Sequence, residues 1–167
     1  VKKAVYDELI DNWAEATTLS LELRQKLESA SSIYELTVEK ELTSKDGGTS
    51  KVLLSAQDGS KIEAVLMRHG TADSPQTGRN TVCISSQVGC SVGCQFCATG
   101  QLGFKRNLSD WEMVEQVLFF AKILKKEQKR VDNVVFMGMG EPFLNYDNVL
   151  SAVKIINDQR GLSLGAR

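Results

Sequence analysis

Four cysteines fall between Cys83 and Cys97 in a chain of 167 residues, with none before and none after. A disulfide framework spreads its cysteines so that the bridges close loops, and a cluster this tight closes none. Clustered thiols with no secretory segment in view point instead to a reducing compartment and to metal. Three of them, in Cys90-Ser-Val-Gly-Cys94-Gln-Phe-Cys97, are spaced at four and three residues. Gly89 and Gly93 let the backbone wrap tightly around them, because glycine accepts dihedrals closed to other residues. Three thiolates converging on one point suit either zinc or an iron–sulfur cluster. A structural zinc site takes a fourth ligand. Cys83 would serve only if its strand bent back, and His69, the sole histidine, lies across a loop. A 4Fe-4S cluster held by three cysteines leaves one iron open to substrate. The bland alternative is unligated core thiols, but inert buried cysteines have no reason to take this spacing around two glycines.

Glu141, in Gly138-Met-Gly-Glu-Pro142, stands at the predicted C-terminal end of a strand. Glycines before it let a ligand approach the backbone, and its carboxylate suits an ammonium group. The competing reading is a turn that closes the strand with an exposed acid. Glu63, between Ile62 and Ala64, reads by itself as a solvated strand face. Cys83, between Val82 and Ile84, reads by itself as a small buried residue.

The elements that must position these residues follow from pattern. Residues 1–31 carry helical spacing, with Val5, Leu9 and Trp13 in one stretch and Leu19, Leu23 and Leu27 in another. Residues 32–79 hold three short alternating or apolar runs, at 33–42, 51–56 and 61–67. Asp46-Gly-Gly48 and Asp58-Gly59 separate them as hairpin turns, so a small antiparallel sheet is predicted, followed by a connecting loop from Gly70 to Gly78 around Pro75. From residue 80 to 167 the order becomes strand, loop, helix, strand, loop, helix. A strand at 81–86 leads into a long cysteine-bearing loop at 87–108. A helix over 109–130 opens on a capping box, Ser109 with Glu112, and carries the stripe Val114, Val117, Leu118, Ala121 and Leu124. Val134–Met137 reads as a strand buried on both faces, and 147–158 as a helix with Leu150, Val153 and Ile156 inward. The fold class is α/β, a parallel sheet covered by helices, open or barrel-like.

Composition narrows the rest. With 42% hydrophobic and 25% charged residues, and 20 Lys+Arg against 21 Asp+Glu, the chain is globular and neither disordered nor collagenous. No apolar run approaches the roughly 20 residues of a membrane span, and charge balance gives no global basic footprint, so any nucleic-acid contact must be local. Both ends read as cut: Val1 already lies in helical pattern, and Arg167 follows a turn-like segment where another element is expected.

The cysteine spacing resembles that of the radical S-adenosylmethionine (SAM) superfamily. The longer strings Cys83-Ile-Ser-Ser-Gln-Val-Gly-Cys90, Cys97-Ala-Thr-Gly100, Gly103-Phe-Lys-Arg-Asn-Leu108 and Gly138-Met-Gly-Glu-Pro142 resemble one branch of it, the RlmN/Cfr family of RNA methyltransferases acting on adenosine carbons. Pro142 with the following Phe-Leu-Asn145 is more similar to the enzymes that modify carbon-2 than to those that modify carbon-8. The resemblance implies a partial (β/α) barrel, Cys90, Cys94 and Cys97 as ligands of a 4Fe-4S cluster, and Gly140 and Glu141 as the segment holding the methionyl amino group of SAM. It implies that Glu63 is a proton acceptor and that Cys83 helps release the enzyme from its covalent link to RNA. In the family's mechanism a downstream cysteine is first methylated by one SAM. A second SAM yields a radical that takes hydrogen from that methyl, and the carbon radical adds to adenine. The implied partners are ribosomal RNA, transfer RNA and an electron donor, with no membrane, in the cytoplasm. Lys105 and Arg106 stand where an RNA phosphate could pass. Lys122, Lys125, Lys126, Lys129 and Arg130 read better as a solvated helix end favoured by the dipole. No cysteine follows Cys97, so the methyl-carrying residue is absent and the chain by itself is expected to be inactive. The alternatives are another radical SAM reaction or a zinc-stabilised binding module.

Overall fold

A computed structural model describes residues 1–71 and 74–165. The lead-in is less helical than its periodicity predicts. A single π-turn at Ala4–Glu8 is stopped by Leu9 in the left-handed region, and a 3-10 turn follows at Trp13–Glu15. Only α1, Leu21–Ala30, is a regular helix, with Ser20 as its cap and no buried residue. Val5, Ile10, Trp13 and Ala16 nonetheless join the core. Burial of these few apolar side chains, not helix propensity, holds the segment in place.

Strands β1 (Thr37–Thr43), β2 (Thr49–Ser55), β3 (Lys61–Thr71) and β4 (Ser74–Cys83) form an antiparallel meander. The two Asp-Gly turns sit where expected. Pairing of His69 with Arg79 and Thr71 with Ser74 continues the β3–β4 hairpin through most of the predicted 70–78 loop, with residues 72 and 73 outside the described residues. Polar composition and Pro75 suggest a loop, but a strand tolerates proline near its first residue.

After β4 come β5 (Gln87–Gly89), the single-turn α2 (Ala98–Gln101), β6 (Phe104–Asn107), α3 (Asp110–Lys126), β7 (Asn133–Val135) and α4 (Tyr146–Asn157). β7 pairs in parallel with β4, giving one mixed sheet in the order β1-β2-β3-β4-β7. The α/β class is therefore present, with a mixed sheet in which the predicted antiparallel strands and the first strand–helix–strand unit are continuous. The predicted 87–108 loop contains a hairpin of its own, β5 with β6.

The sheet has two unlike faces. Val52, Leu54, Ile62, Ala64, Leu66 and Val82 are buried in one core with Met113, Val114, Val117, Leu118, Phe120 and Leu124 of α3. The stripe predicted on that helix is inward, and Ser109 and Glu112 make both bonds of the capping box. The opposite face, carrying Lys51, Leu53, Glu63, Val65, Met67, Cys83 and Val135, is half-exposed. For that reason β7, at the edge of the sheet, is only half-buried, in place of the two-sided burial its apolar run predicts. On α4 the inward residues are Val149, Ala152 and Ile156, while Leu150 points out at 38% exposure.

Candidate active site

The cysteine loop leaves the C-terminal end of β4, and the Gly138–Glu141 loop leaves that of β7. Parallel neighbours deliver their following loops to the same edge, where α/β sheets bind ligands. Backbone bonds fasten the two loops together. Ser86 and Gln87 donate N–H groups to the Met139 carbonyl at 2.8 and 3.1 Å, and Gly138 donates to the Ile84 carbonyl at 3.1 Å. Side chains complete the seam. Ser85 Oγ donates to the Glu63 carbonyl at 2.6 Å and accepts from the Met139 N–H at 2.9 Å. Gln116, fully buried on α3, brackets Ser85 by accepting its N–H at 2.8 Å and donating to its carbonyl at 3.1 Å. Asn145 donates to the carbonyls of Ser86 and Leu108, both at 2.8 Å.

The β5–β6 hairpin backs the first ligand candidate. Cys90 donates its N–H to the Gly103 carbonyl at 3.0 Å. That approach requires glycine at 89, where φ is +74° and an added Cβ would lie 1.8 Å from the Gly103 oxygen. Cys94 accepts the Cys97 N–H at 3.0 Å, and Cys97 stands at the start of α2. N–H groups of Gly100 and Thr99 at the Cys97 sulfur hold that thiol below the usual range, which favours the thiolate that binds metal. All three cysteines are free and partly exposed. They share the loop without converging: among the described residues no group of three or more His, Cys, Asp or Glu side chains is gathered to hold a metal ion. As a donor set, three soft thiols on one accessible loop fit an iron–sulfur cluster. Structural zinc would take a fourth ligand, and His69 is one candidate that the fold sets apart. His69 pairs with Arg79, four residues along β3 from the Val65–Cys83 pair, or about 13 Å towards the far end of the sheet.

Glu141 gives its N–H to Gln87 Oε1 at 2.9 Å, and its carboxylate accepts the Phe143 N–H at 3.1 Å, capping a 3-10 turn at Pro142–Asn145. Gly140 has φ +99°, and an added Cβ would meet Gln87 Cβ at 2.5 Å.

Glu63 and Cys83 come together on the half-exposed face. Val65 is opposite Cys83 across β3–β4, so Glu63 is its diagonal neighbour, at about 7–8 Å between backbones. Glu63 pairs with Lys51 at 2.9 Å. Burial pushes the Cys83 thiol up, opposed by the Met137 N–H that points at it.

Arg106 is engaged within the chain. It holds Glu112 with two bonds of 2.8 Å and Asp58 at 2.9 Å. Lys105 donates to Ser60 Oγ at 2.6 Å and lies 3.6 Å from Asp58. The pair ties the β2–β3 turn and the start of α3 to the hairpin behind Cys90. Burial would raise the Glu112 carboxyl, but Arg106 and the Ser109 N–H together hold it below the usual range. Hydrogen bonds from Arg106 and Ser60 do the same for Asp58. The lysines at the far end of α3 also have internal work, since Lys122 pairs with Asp11 and Lys125 donates to the carbonyls of Asp7 and Glu8.

Ser85, Gln87, Gln116, Asn145 and Lys51 are the residues that pattern reading passes over. Of these only Lys51 was accessible, because counting pairs outward from the Asp58-Gly59 turn sets Leu53 opposite Glu63 and Lys51 beside it.

A family model described as the radical SAM superfamily matches residues 84–166. A protein of Dictyoglomus turgidum described as "Probable dual-specificity RNA methyltransferase RlmN" is 43% identical over 163 residues, covering 98% of this chain and 44% of the relative. The "Ribosomal RNA large subunit methyltransferase N" of Nitrosopumilus maritimus is 48% identical over 126 residues, covering 75% of this chain and 36% of the relative. The chain thus spans less than half the length of these relatives. The crystal structure of a radical SAM methyltransferase from Sphaerobacter thermophilus superposes with a TM-score of 0.91 at 40% identity, covering 99% of this chain and 47% of that one. With the three-cysteine loop and the Gly-Glu loop at one edge of the sheet, these likenesses establish that the chain belongs to the radical SAM superfamily, in its RlmN branch.

Proposed function

We propose that this chain is the cluster-bearing portion of a radical SAM RNA methyltransferase that adds a methyl group to carbon-2 of adenosine in 23S ribosomal RNA and in transfer RNA. The observation that carries this reading is the seam between the cysteine loop and the Gly138–Glu141 loop, made by Ser86, Gln87 and Met139. It supports one binding site shared by both loops. In this reading residues 1–31 are an accessory region, 32–79 a β extension, and 80–167 the first part of a (β/α) barrel in the cytoplasm.

Cys90, Cys94 and Cys97 are the ligands of a 4Fe-4S cluster. When bound there, the cluster supplies one electron to SAM, drawn from a separate electron donor. Gly140 keeps the backbone open to the methionyl end of SAM, and Glu141 offers its carboxylate to the ammonium group. Glu63 accepts a proton and Cys83 assists release of the RNA adduct, both from the half-exposed sheet face. Lys51 holds the Glu63 side chain on that face through their ion pair.

Anaerobic reconstitution with ferrous iron and sulfide tests the reading. A brown protein with broad visible absorption and equal iron and sulfide is expected, and Cys90→Ala, Cys94→Ala or Cys97→Ala should each abolish most of that uptake. A colourless chain that retains stoichiometric zinc instead would refute the cluster and favour a zinc-stabilised module.

A further inference from the structure

Gln87 is 1% exposed, and both ends of its amide are engaged. Oε1 accepts the Glu141 N–H at 2.9 Å, and Nε2 donates to Asn107 Oδ1 at 2.8 Å. Asn107 is its cross-strand partner in the β5–β6 hairpin, the same hairpin whose next residues lead into Cys90. The Gln87 N–H goes to the Met139 carbonyl at 3.1 Å. Gly140 lies directly on its side chain, with room for no Cβ. One buried amide therefore spans from the strand that carries the cysteine loop to the main chain of the Gly140–Glu141 segment. A glutamine suits this task because the Glu141 end needs an acceptor and the Asn107 end a donor.

We infer that Gln87 is a positioning residue that sets Glu141 against the cysteine loop, so that its loss weakens SAM binding without removing the cluster. The inference rests on the proposed reading of the two loops. The Glu141 carboxylate is fastened to its own loop, accepting the Phe143 N–H of the turn that follows. Loosening the Glu141 N–H therefore moves the whole acidic group. The cysteines, by contrast, are held on the other side of Gln87 by the Cys90–Gly103 bond and the α2 turn, which the amide does not touch.

The test compares wild-type chain, Gln87→Met and Gln87→Glu after anaerobic reconstitution. Gln87→Met keeps the shape and loses both bonds, and Gln87→Glu keeps the acceptor for Glu141. Iron content, thermal melting and the change in the electron paramagnetic resonance spectrum of the reduced cluster on titration with SAM are the readouts. Gln87→Met is expected to keep its iron and bind SAM about ten- to a hundredfold more weakly, because it leaves the Glu141 N–H without a partner. Gln87→Glu is expected to recover most of that loss. Iron-loaded Gln87→Met with wild-type SAM affinity overturns the inference and leaves the proposed function standing. So does Gln87→Met that loses its iron, if Gln87→Glu, still loaded, binds SAM no better than a chain lacking the Glu141 carboxylate. A wild-type chain that takes up no iron overturns the reading of the site, and the inference with it.

Discussion

Glu115 shows how a single buried acid can be at once well bonded and titratable. It is 3% exposed and accepts the N–H groups of Glu35 and Leu36 at 2.7 and 2.8 Å, fastening the segment before β1 to α3. Burial pushes its carboxyl up to about 7, against the pull of those two donors. An acid raised this way holds its proton more tightly folded than unfolded. Its contribution to stability is thus fully present below about 4.5 and is lost as pH rises through about 7. Glu115→Gln does not titrate, and it turns an amide NH2 towards one of the two N–H groups, so it should melt lower than wild type in acid. The gap between the two melting temperatures should narrow as pH is raised from about 5 to about 8, followed by circular dichroism. A gap that stays constant would mean that Glu115 remains charged throughout. None of this could be seen in the sequence, where Glu115 is one acid among the polar positions of an amphipathic helix. The three cysteine ligand candidates were visible there because their spacing is local. The bonds that join Ser85 to Met139 and Gln87 to Glu141 were not, because each spans 54 residues of the chain.

Elements were legible to the extent that their signals were local. The capping box, the α3 stripe and the two Asp-Gly turns all stand as the sequence pattern implies, because each is made by residues a few positions apart. The β5–β6 hairpin was hidden in what looked like a loop. Its strands are short and separated by the cysteine segment, and its defining feature is a backbone approach at Gly89. Gly89→Ala is expected to displace the hairpin. The φ of +74° alone costs a side chain about 1–2 kcal/mol, and the added Cβ would also collide with the Gly103 carbonyl. Iron uptake on reconstitution should fall with it. Gly59→Ala is the control: its φ of +75° is equally unfavourable, but an added Cβ meets nothing within 4 Å. It should lower the melting temperature modestly and leave iron uptake unchanged. Equal iron uptake by both variants would show that the hairpin does not support the cysteine loop.

At the scale of the whole molecule, the α/β class was readable from alternating strand and helix signals, but the continuity of one mixed sheet was not. Only long-range pairing joins β7 to β4, and it leaves no mark on either strand's own residues beyond their apolar character. The same scale governs what the chain can do alone. On the proposed function, in which a cysteine later than Cys97 carries the methyl group, the 167 residues loaded with cluster and given reductant, SAM and RNA are expected to yield no methylated adenosine. Mass spectrometry of the digested RNA checks this, and methylated adenosine above background would show that transfer needs no later cysteine. The mixed sheet also carries a consequence for the order of folding. The β1–β4 meander joins neighbours through short turns, whereas β4 and β7 meet across roughly fifty residues that include all of α3, and closing so long a crossover is entropically the slower step. The seam between the two ligand loops is made by that same pairing. The edge that carries the two loops is therefore expected to form after the β1–β4 meander, so that the cysteine loop and the Glu141 loop meet only when the longest closure of the sheet is complete.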